Sequence, residues 1–306
     1  MNFRVAVVGS GAIGSYYGGK LAYHGRDVHF LVRSGLEEIN QLGIDVRGRK
    51  ESFHLAKVRA YKTTEAIGPC DLVLIALKAT NNDLLPELIS PLLHETTALL
   101  TLQNGLGNEE FLARYFGAER VIGGLCFICL NRVSPGVIEH FDYGHLTIGE
   151  FTGFPKPRTQ DIASEFKRSG ITCDVVENLM RERWHKLVWN VPFNGLSIAA
   201  GGITTQDILQ DDSLRLSAFR LMDEVILAAG ACGNRLPANV TFEQMKRTET
   251  MGAYKLSTLL DFEAGRTLEV EAIWGEPLRR AQAAGASVPR LEQLYAILKS
   301  LNSRRQ

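Results

Sequence analysis

Residues 3–33 read FRVAVVGSGAIGSYYGGKLAYHGRDVHFLVR, and this stretch decides the fold of the first half of the chain. Phe3 to Val8 is a short, almost wholly apolar run, typical of a parallel strand that is covered on both faces. A glycine-rich turn follows and opens a helix that runs to about Tyr23. His24-Gly25 ends that helix, and Val28 to Val32 forms a second strand. The pattern predicts a βαβ unit.

The glycine-rich turn has the spacing of a dinucleotide-binding loop. Gly9 permits a tight bend, Gly11 lets the backbone approach a pyrophosphate, and Gly14 allows the helix to pack closely on the strand. Free N–H groups at the start of the helix favour the negative charge of the pyrophosphate. The position of the motif between a strand and a helix makes it specific. We predict cofactor-binding residues at Gly9, Ser10, Gly11, Ala12, Ile13 and Gly14.

The end of the second strand predicts which dinucleotide binds. An NAD enzyme is expected to carry Asp or Glu there, accepting from the ribose 2′-OH. This chain has Arg33 at that place, and Asp27 lies at the opposite end of the strand. An arginine can pair with a 2′-phosphate through two N–H groups. We predict NADP(H) as the cofactor, with an ordinary exposed arginine as the alternative interpretation.

The strand pattern continues to about residue 177. Apolar runs at 70–77 and 98–107 lead into Lys78 and Asn104-Gly105, at the carboxyl ends where open α/β sheets bind ligands. Further strands are predicted at about 121–130, 137–149 and 171–177, and helices at 108–117 and 161–170. Together these patterns indicate an α/β fold of the Rossmann type for residues 1–177.

From about residue 178 the strand signal disappears. Helical spacing covers 179–200, 213–232, 241–263, 266–284 and 290–302. We therefore predict an N-terminal NADP-binding domain, residues 1–177, followed by an all-helical substrate domain, residues 178–306. A cleft between two such domains is a usual ligand site.

Composition excludes several classes of partner. The 306 residues contain 34 Lys plus Arg and 34 Asp plus Glu, so no global charge favours nucleic acid or an anionic membrane. No apolar run reaches membrane-spanning length, and the N-terminus leads into the glycine turn without a cleavage region. Five scattered cysteines fit a reducing cytoplasm. The oligomeric state stays open, a homodimer included.

Cys126 and Cys129 are followed by His140 and His145 at finger-like spacing, which raises the alternative of a zinc site. A zinc finger would place its histidines on a helix. The intervening sequence instead predicts two strands around a turn at Ser134-Pro135-Gly136. Cysteine in a buried strand behaves as a small apolar residue, so we predict no metal site.

The segment WHKLVWNVPFN, residues 184–194, places Lys186, Asn190 and Asn194 on one helical stripe. A solvated helix face is the ordinary interpretation. Asparagine is, however, a poor helix former that exposed faces seldom use. Later in the chain Ser257, Asp261 and Glu269 are notable polar residues, although spacing alone does not distinguish Glu269 from neighbouring glutamates.

These motifs together resemble the ketopantoate reductase (2-dehydropantoate 2-reductase) family over essentially the whole chain. The glycine motif, Arg33 and Leu77-Lys78 match the first half of the family pattern. Asn104-Gly105 matches its NG pair. The central KxxxNxxxN motif and the late serine, aspartate and glutamate match Lys186, Asn190, Asn194, Ser257, Asp261 and Glu269.

The resemblance implies reduction of ketopantoate to (R)-pantoate by NADPH, a step of pantothenate and coenzyme A synthesis. It implies that Lys186 polarises the keto group and donates a proton, and that Glu269 is the second catalytic residue. The cofactor residues implied beyond the glycine turn are Arg33, Lys78, Asn104 and Glu269. The substrate residues implied are Asn104, Lys186, Asn190, Asn194 and Ser257.

One position departs from the family pattern, because Thr204 stands where the family has a further substrate-binding asparagine. Thr204, Thr205 or Gln206 could replace it, or the substrate could be another 2-keto acid. A 3-hydroxyacid or glycerol-phosphate type of dehydrogenase and a protein that binds NADPH without chemistry remain the other hypotheses.

Overall fold

The structure, a computed structural model, describes residues 3–48 and 51–304. The chain folds into two compact units. Unit 1 contains Met1–Gln103 and Asn108–Leu179, and unit 2 contains Asn104–Gly107 and Met180–Gln306. A four-residue segment that follows a strand of unit 1 therefore belongs to unit 2.

The described residues of unit 1 form one ten-stranded sheet. Its strands are β1 Arg4–Val8, β2 Asp27–Leu31, β3 Ile44–Gly48, β4 Phe53–Leu55, β5 Arg59–Tyr61, β6 Leu72–Ile75, β7 Ala98–Thr101, β8 Val121–Ser134, β9 Val137–Glu150 and β10 Cys173–Val175. The spatial order is β4–β3–β9–β8–β7–β6–β1–β2–β5, and β10 pairs with β9. Neighbouring strands pair in parallel along the part of the sheet that contains β8, β7, β6, β1, β2 and β5. Strand β9, by contrast, runs antiparallel to β8.

Strand β1 lies inside this parallel region, and its position explains why its residues are mostly apolar. Val5 and Val7 pack into the core on one face of the sheet, and Ala6 and Val8 pack into the core on the other. Both faces are covered, so the strand needs an unbroken apolar run. The predicted Rossmann-type α/β domain is confirmed.

The helices of unit 1 connect these strands and cover the sheet. They are α1 Ala12–Tyr23, α2 Leu36–Leu42, α3 Leu85–Ile89, α4 Asn108–Phe116 and α5 Pro157–Arg168. Short 3₁₀ segments occupy Ala79–Leu84, Ser90–Leu92 and Ala118–Arg120. The hairpin between β8 and β9 turns at Gly136, whose φ of 74° is left-handed, as its predicted turn requires.

Among its described residues unit 2 contains helices joined by loops and no strand, which confirms the second part of the predicted fold. Its helices are α6 Leu179–Ala199, α7 Thr205–Gln210, α8 Asp212–Ala231, α9 Val240–Glu249, α10 Ser257–Glu263, α11 Glu276–Ala283 and α12 Pro289–Ser303. A π-helical turn, Glu271–Gly275, leads directly into α11. No helix within residues 3–48 and 51–304 is long and apolar enough to cross a membrane.

Predictions for two helical segments were wrong, and three short strands were missed. Segment 241–263 is two helices rather than one, because the chain turns at residues 250–256, where Gly252 has a φ of 61°. Segment 266–284 becomes helical only at Val270, so Glu269 precedes that helix instead of lying one turn inside it. The short strands β3, β4 and β5 were not predicted, since three to five residues carry little periodic signal.

Candidate active site

Helix α6 carries the polar stripe noted in the sequence. Lys186 is half-buried, whereas Asn190 and Asn194 are only 6% and 4% exposed. Asn194 Nδ2 donates to the carbonyl oxygen of Asn190 at 3.1 Å. The buried Asn194 Oδ1 has no hydrogen-bond partner within the described parts of the chain. A buried acceptor in that state is costly unless a ligand donates to it, and the solvated-face interpretation does not fit.

The ammonium group of Lys186 contacts a residue that is distant in the sequence. Lys186 Nζ donates to Asn104 Oδ1 at 2.8 Å, across 82 positions. Both residues belong to unit 2. Burial lowers the pKa of the neighbouring His185 imidazole below its usual value, which favours its neutral form. The hydrogen bond to Asn104 fixes the direction in which the Lys186 ammonium points.

The segment Asn104–Gly107 docks on the π-helical turn. In a regular α-helix the Glu276 N–H would donate to Ala272, but here it donates to Glu271. The released carbonyl of Ala272 accepts from the Leu106 N–H at 2.9 Å. Gly105, with a φ of 84°, lies so close to Ala272 that an added Cβ would come within 2.8 Å of the Ala272 Cβ.

The same π-helical turn also contacts α6. Trp274, which is fully buried, donates its indole N–H to the carbonyl of Val191 at 2.9 Å. Pro277 explains why the helix widens here, because proline has no N–H to donate and its ring clashes with the carbonyl four residues earlier. The π-helical turn thus positions both the helix that carries Lys186 and the segment that carries Asn104.

The late polar residues take different positions. Glu269 is buried, at 5% exposure, immediately before the helical segment that begins at Val270. Asp261 is equally buried, and its carboxylate accepts from Arg266 Nε at 2.8 Å. Ser257 is exposed at the first position of α10.

Thr204, the residue that departs from the family pattern, caps helix α7. Its hydroxyl donates to Asp207 Oδ2 at 2.7 Å and accepts from the Asp207 N–H at 3.4 Å. The hydroxyl of Thr205 is also engaged, donating to the carbonyl of Gly252 at 2.7 Å. Gln206 is exposed. Two of the three candidate replacements for the missing asparagine therefore have structural roles.

The glycine turn of unit 1 fits a dinucleotide. Gly9 has a φ of 111°, and an added Cβ would come within 2.6 Å of the Leu77 backbone N. Gly14 packs against Val7, with 2.9 Å between an added Cβ and the Val7 Cγ1. At Gly11, by contrast, an added Cβ would meet nothing within 4 Å. The space beside Gly11, at the start of α1, is where a pyrophosphate would approach the backbone.

The rest of the predicted loop is held by its backbone and by short side chains. The Ser10 hydroxyl donates to the carbonyl of Leu31 at the end of β2. Ala12 and Ile13 form the first turn of α1. The turn is thus tied to the neighbouring strand, whose end carries the predicted cofactor arginine.

The predicted cofactor cations lie at carboxyl ends of strands. Arg33 follows β2 by two residues and is exposed. Its guanidinium has no hydrogen-bond or ion-pair partner among the described residues. Lys78 follows β6 and precedes the 3₁₀ segment Ala79–Leu84. Strand β6 ends at Ile75, two residues short of the predicted bound.

The cysteines of the alternative zinc site lie on a strand. Cys126 and Cys129 are buried in β8, and His140 and His145 lie on β9. Within the described ranges, no group of three or more His, Cys, Asp or Glu side chains is arranged to hold a metal ion. Cys70, Cys173 and Cys232 are free thiols.

Sequence reasoning missed the role of Ala272 and Trp274. Neither is a charged or amide-bearing residue type, since Ala272 acts through its backbone carbonyl and Trp274 through the N–H of a mostly apolar indole. The signal that could have found them is Pro277, inside segment 266–284, because a proline within a helical pattern marks a kink or a widened turn.

Comparison with known proteins identifies both parts of the chain. The family model "Ketopantoate reductase PanE/ApbA" matches residues 5–153, and the model of its C-terminal region matches residues 178–302. A 2-dehydropantoate 2-reductase of Nostoc sp. is 40% identical, over 98% of this chain and 96% of the relative.

Solved structures agree with this result. The crystal structure of 2-dehydropantoate 2-reductase from Geobacter metallireducens is 43% identical, with a TM-score of 0.95 over 97% of this chain and 99% of that one. The corresponding enzyme from Methylococcus capsulatus is 32% identical, with a TM-score of 0.91 over 99% and 98% of the two chains. This chain belongs to the ketopantoate reductase family of dinucleotide-dependent oxidoreductases.

Proposed function

We propose that this chain reduces 2-dehydropantoate to (R)-pantoate with NADPH, as a step of pantothenate and coenzyme A synthesis in the cytoplasm. Residues 1–177 bind the dinucleotide, and residues 178–306 bind the keto acid. Lys186 is the general acid, and Glu269 orders the site through a substrate hydroxyl. Asn190, Asn194 and Ser257 bind the carboxylate and hydroxyl of the substrate.

The observation that carries this proposal is the arrangement on α6. A directed ammonium and a buried acceptor without a partner, Asn194 Oδ1, occupy one stripe of the same helix. A ligand that completes this arrangement must present an oxygen to the ammonium and a hydroxyl donor to the amide. A hydroxylated 2-keto acid has both groups.

The chemistry needs one hydride and one proton. NADPH, when bound by the residues of unit 1, would supply the hydride for the keto carbon. Lys186 polarises the keto oxygen through its positive charge and then gives it a proton, so that the alcohol forms without a free alkoxide. Asn104 keeps the ammonium oriented by accepting one of its N–H groups. Because Lys186 is half-buried rather than sealed, solvent can return the proton afterwards.

The cofactor proposal uses residues of unit 1. Backbone N–H groups of the turn from Gly9 to Gly14 hold the pyrophosphate at the start of α1. Arg33 pairs with the 2′-phosphate, since its guanidinium has no carboxylate to neutralise it among the described residues. Lys78, Asn104 and Glu269 complete the set of cofactor residues.

The test is a spectrophotometric screen of NADPH oxidation over a panel of 2-keto acids that includes ketopantoate. Lys186→Ala should lower kcat by at least about a hundredfold, the usual contribution of a general acid. Lys246→Ala, on an exposed lysine of the same unit, is the matched control and should leave kcat unchanged. A fall of less than about tenfold for Lys186→Ala would exclude Lys186 as the proton donor.

A second candidate function is the reduction of a different 2-keto acid, and the capping role of Thr204 favours it. The hydroxyl of Thr204 is bound to Asp207, so the contact that the family makes through asparagine is not reproduced by the same group. Faster turnover of another keto acid than of ketopantoate in the same screen would establish this function. Tight NADPH binding without oxidation of any substrate would contradict both.

A further inference from the structure

Strands β2 and β5 form the edge of the sheet beside the glycine turn and end side by side. They pair in parallel, with Leu31 opposite Tyr61. The Val32 N–H extends this pairing by donating to the carbonyl of Tyr61 at 2.8 Å. The next residue of the β5 chain is Lys62, whose Nζ donates to the carbonyl of Arg33 at 3.4 Å. The two cationic residues therefore lie next to each other at the carboxyl ends of neighbouring strands.

The two ends of this pair of strands differ in whether their cationic side chains have a carboxylate partner. At the amino end of β5, Arg59 forms an ion pair with Asp27 at the amino end of β2. At the carboxyl end, Arg33 and Lys62 are both exposed, and neither pairs with a carboxylate in the described parts of the chain. Two adjacent cations repel each other unless an anion lies near both. An anion bound from solution between Arg33 and Lys62 would relieve this repulsion.

We propose that Lys62 is a second cation of the 2′-phosphate subsite and, with Arg33, determines the preference for NADPH over NADH. This inference rests on the proposed use of NADPH. A phosphate monoester carries a charge of about −1.5 to −2 at pH 7, so one arginine neutralises only part of it. The Lys62 ammonium has three N–H donors, of which the carbonyl of Arg33 takes one.

The direct test is binding of 2′,5′-ADP, which carries the 2′-phosphate, compared with 5′-ADP, which lacks it. Isothermal titration of the full chain reads this binding without turnover. Lys62→Ala should weaken 2′,5′-ADP binding by about five- to tenfold, the loss expected for one charge-assisted contact. Binding of 5′-ADP should change less than about twofold. Lys62→Arg should retain most of the 2′,5′-ADP affinity, and Lys62→Glu should lose more than Lys62→Ala.

Lys57→Ala is the matched control, because Lys57 is an exposed lysine that precedes the same strand at its opposite end. It should leave both affinities unchanged. Equal effects of Lys62→Ala and Lys57→Ala, or equal losses for the two nucleotides, would overturn the role of Lys62. In the steady state, Lys62→Ala should raise KM for NADPH and leave kcat at saturating NADPH unaltered.

Binding and activity measurements on the wild-type chain distinguish a failure of this inference from a failure of the proposed reaction. Equal affinity of the wild type for 2′,5′-ADP and 5′-ADP would overturn both the NADP preference and the role of Lys62. Oxidation of a reduced dinucleotide in the presence of ketopantoate would still establish the reductase activity. Preference for 2′,5′-ADP that vanishes in Lys62→Ala, with no keto acid reduced, would support Lys62 and contradict the activity.

Discussion

The glycine turn of unit 1 and the lysine site of unit 2 are assembled in opposite ways. The turn is largely local, because residues 9–14 join β1 directly to α1 and Gly14 packs against Gly9 and Val7, although Gly9 also meets Ala76 and Leu77 just after β6. The lysine site joins Lys186 to Asn104 across 82 positions and depends on the π-helical turn near residue 272. A substitution should therefore act through the local backbone in unit 1 and through long-range contacts in unit 2.

The largest effect is expected from a substitution in the glycine turn of unit 1. Gly9→Ala should lower the free energy of unfolding by about 2–4 kcal/mol, because Ala tolerates the φ of 111° poorly and its Cβ would clash with the Leu77 backbone. Gly11→Ala is the matched variant, since its Cβ would meet nothing. It should change stability by less than about 1 kcal/mol but weaken dinucleotide binding at least about tenfold. Urea denaturation and NADPH titration measure the two effects, and equal stability of both variants would contradict the assignment.

The next effect tests the long-range hydrogen bond. Asn104→Ala removes the acceptor that orients the Lys186 ammonium and should lower kcat by about ten- to a hundredfold. Stability should change by less than about 1.5 kcal/mol, the net contribution of one hydrogen bond. A double-mutant cycle with Lys186→Met measures the coupling. Additive losses in kcat would show that the two residues act independently.

A smaller effect tests the π-helical turn. Pro277→Ala restores an N–H to the helix and should favour regular α-helical bonding, which would return the Ala272 carbonyl to Glu276. The Leu106 N–H would then lose its acceptor, and kcat should fall about three- to tenfold. Pro289→Ala, at the first turn of α12 in the same unit, is the control and should leave kcat unchanged. Unaltered kcat in Pro277→Ala would remove the turn from the site.

The smallest effect concerns the departure at residue 204. Asparagine caps helices as well as threonine does, so Thr204→Asn should change the free energy of unfolding by less than about 0.5 kcal/mol. If ketopantoate is the substrate, the added amide should lower its KM by about two- to fivefold. A higher KM for ketopantoate, measured with the screen described above, would favour a different keto acid.

The difference between the two sites also decides what the sequence could predict. The βαβ unit and the positions of Gly9, Gly11 and Gly14 follow from residues that are adjacent in the chain. Their periodicity is visible because strand, turn and helix each impose a separate local pattern. Arg33 could be placed for the same reason, since β2 ends two residues before it.

The assembly of the lysine site was outside the reach of local patterns. The stripe on α6 was visible, but its contact with Asn104 depends on which segment packs against the helix. The release of the Ala272 carbonyl depends on the start of a helix that was predicted too early. Lys62 was missed because β5 has only three residues, and the charge acquires meaning only beside β2.

The segment Asn104–Gly107 has a further consequence for how members of this family can exchange parts. Asn82 bridges its two flanks in unit 1, accepting from Gln103 Nε2 at 2.7 Å and donating to Asn108 Oδ1 at 3.0 Å. The segment itself belongs with the helices of unit 2. Recombination with a relative at residue 179 alone would therefore combine one parent's segment with the other parent's π-helical turn. A chimera should retain activity only when these four residues are inherited together with the helical unit.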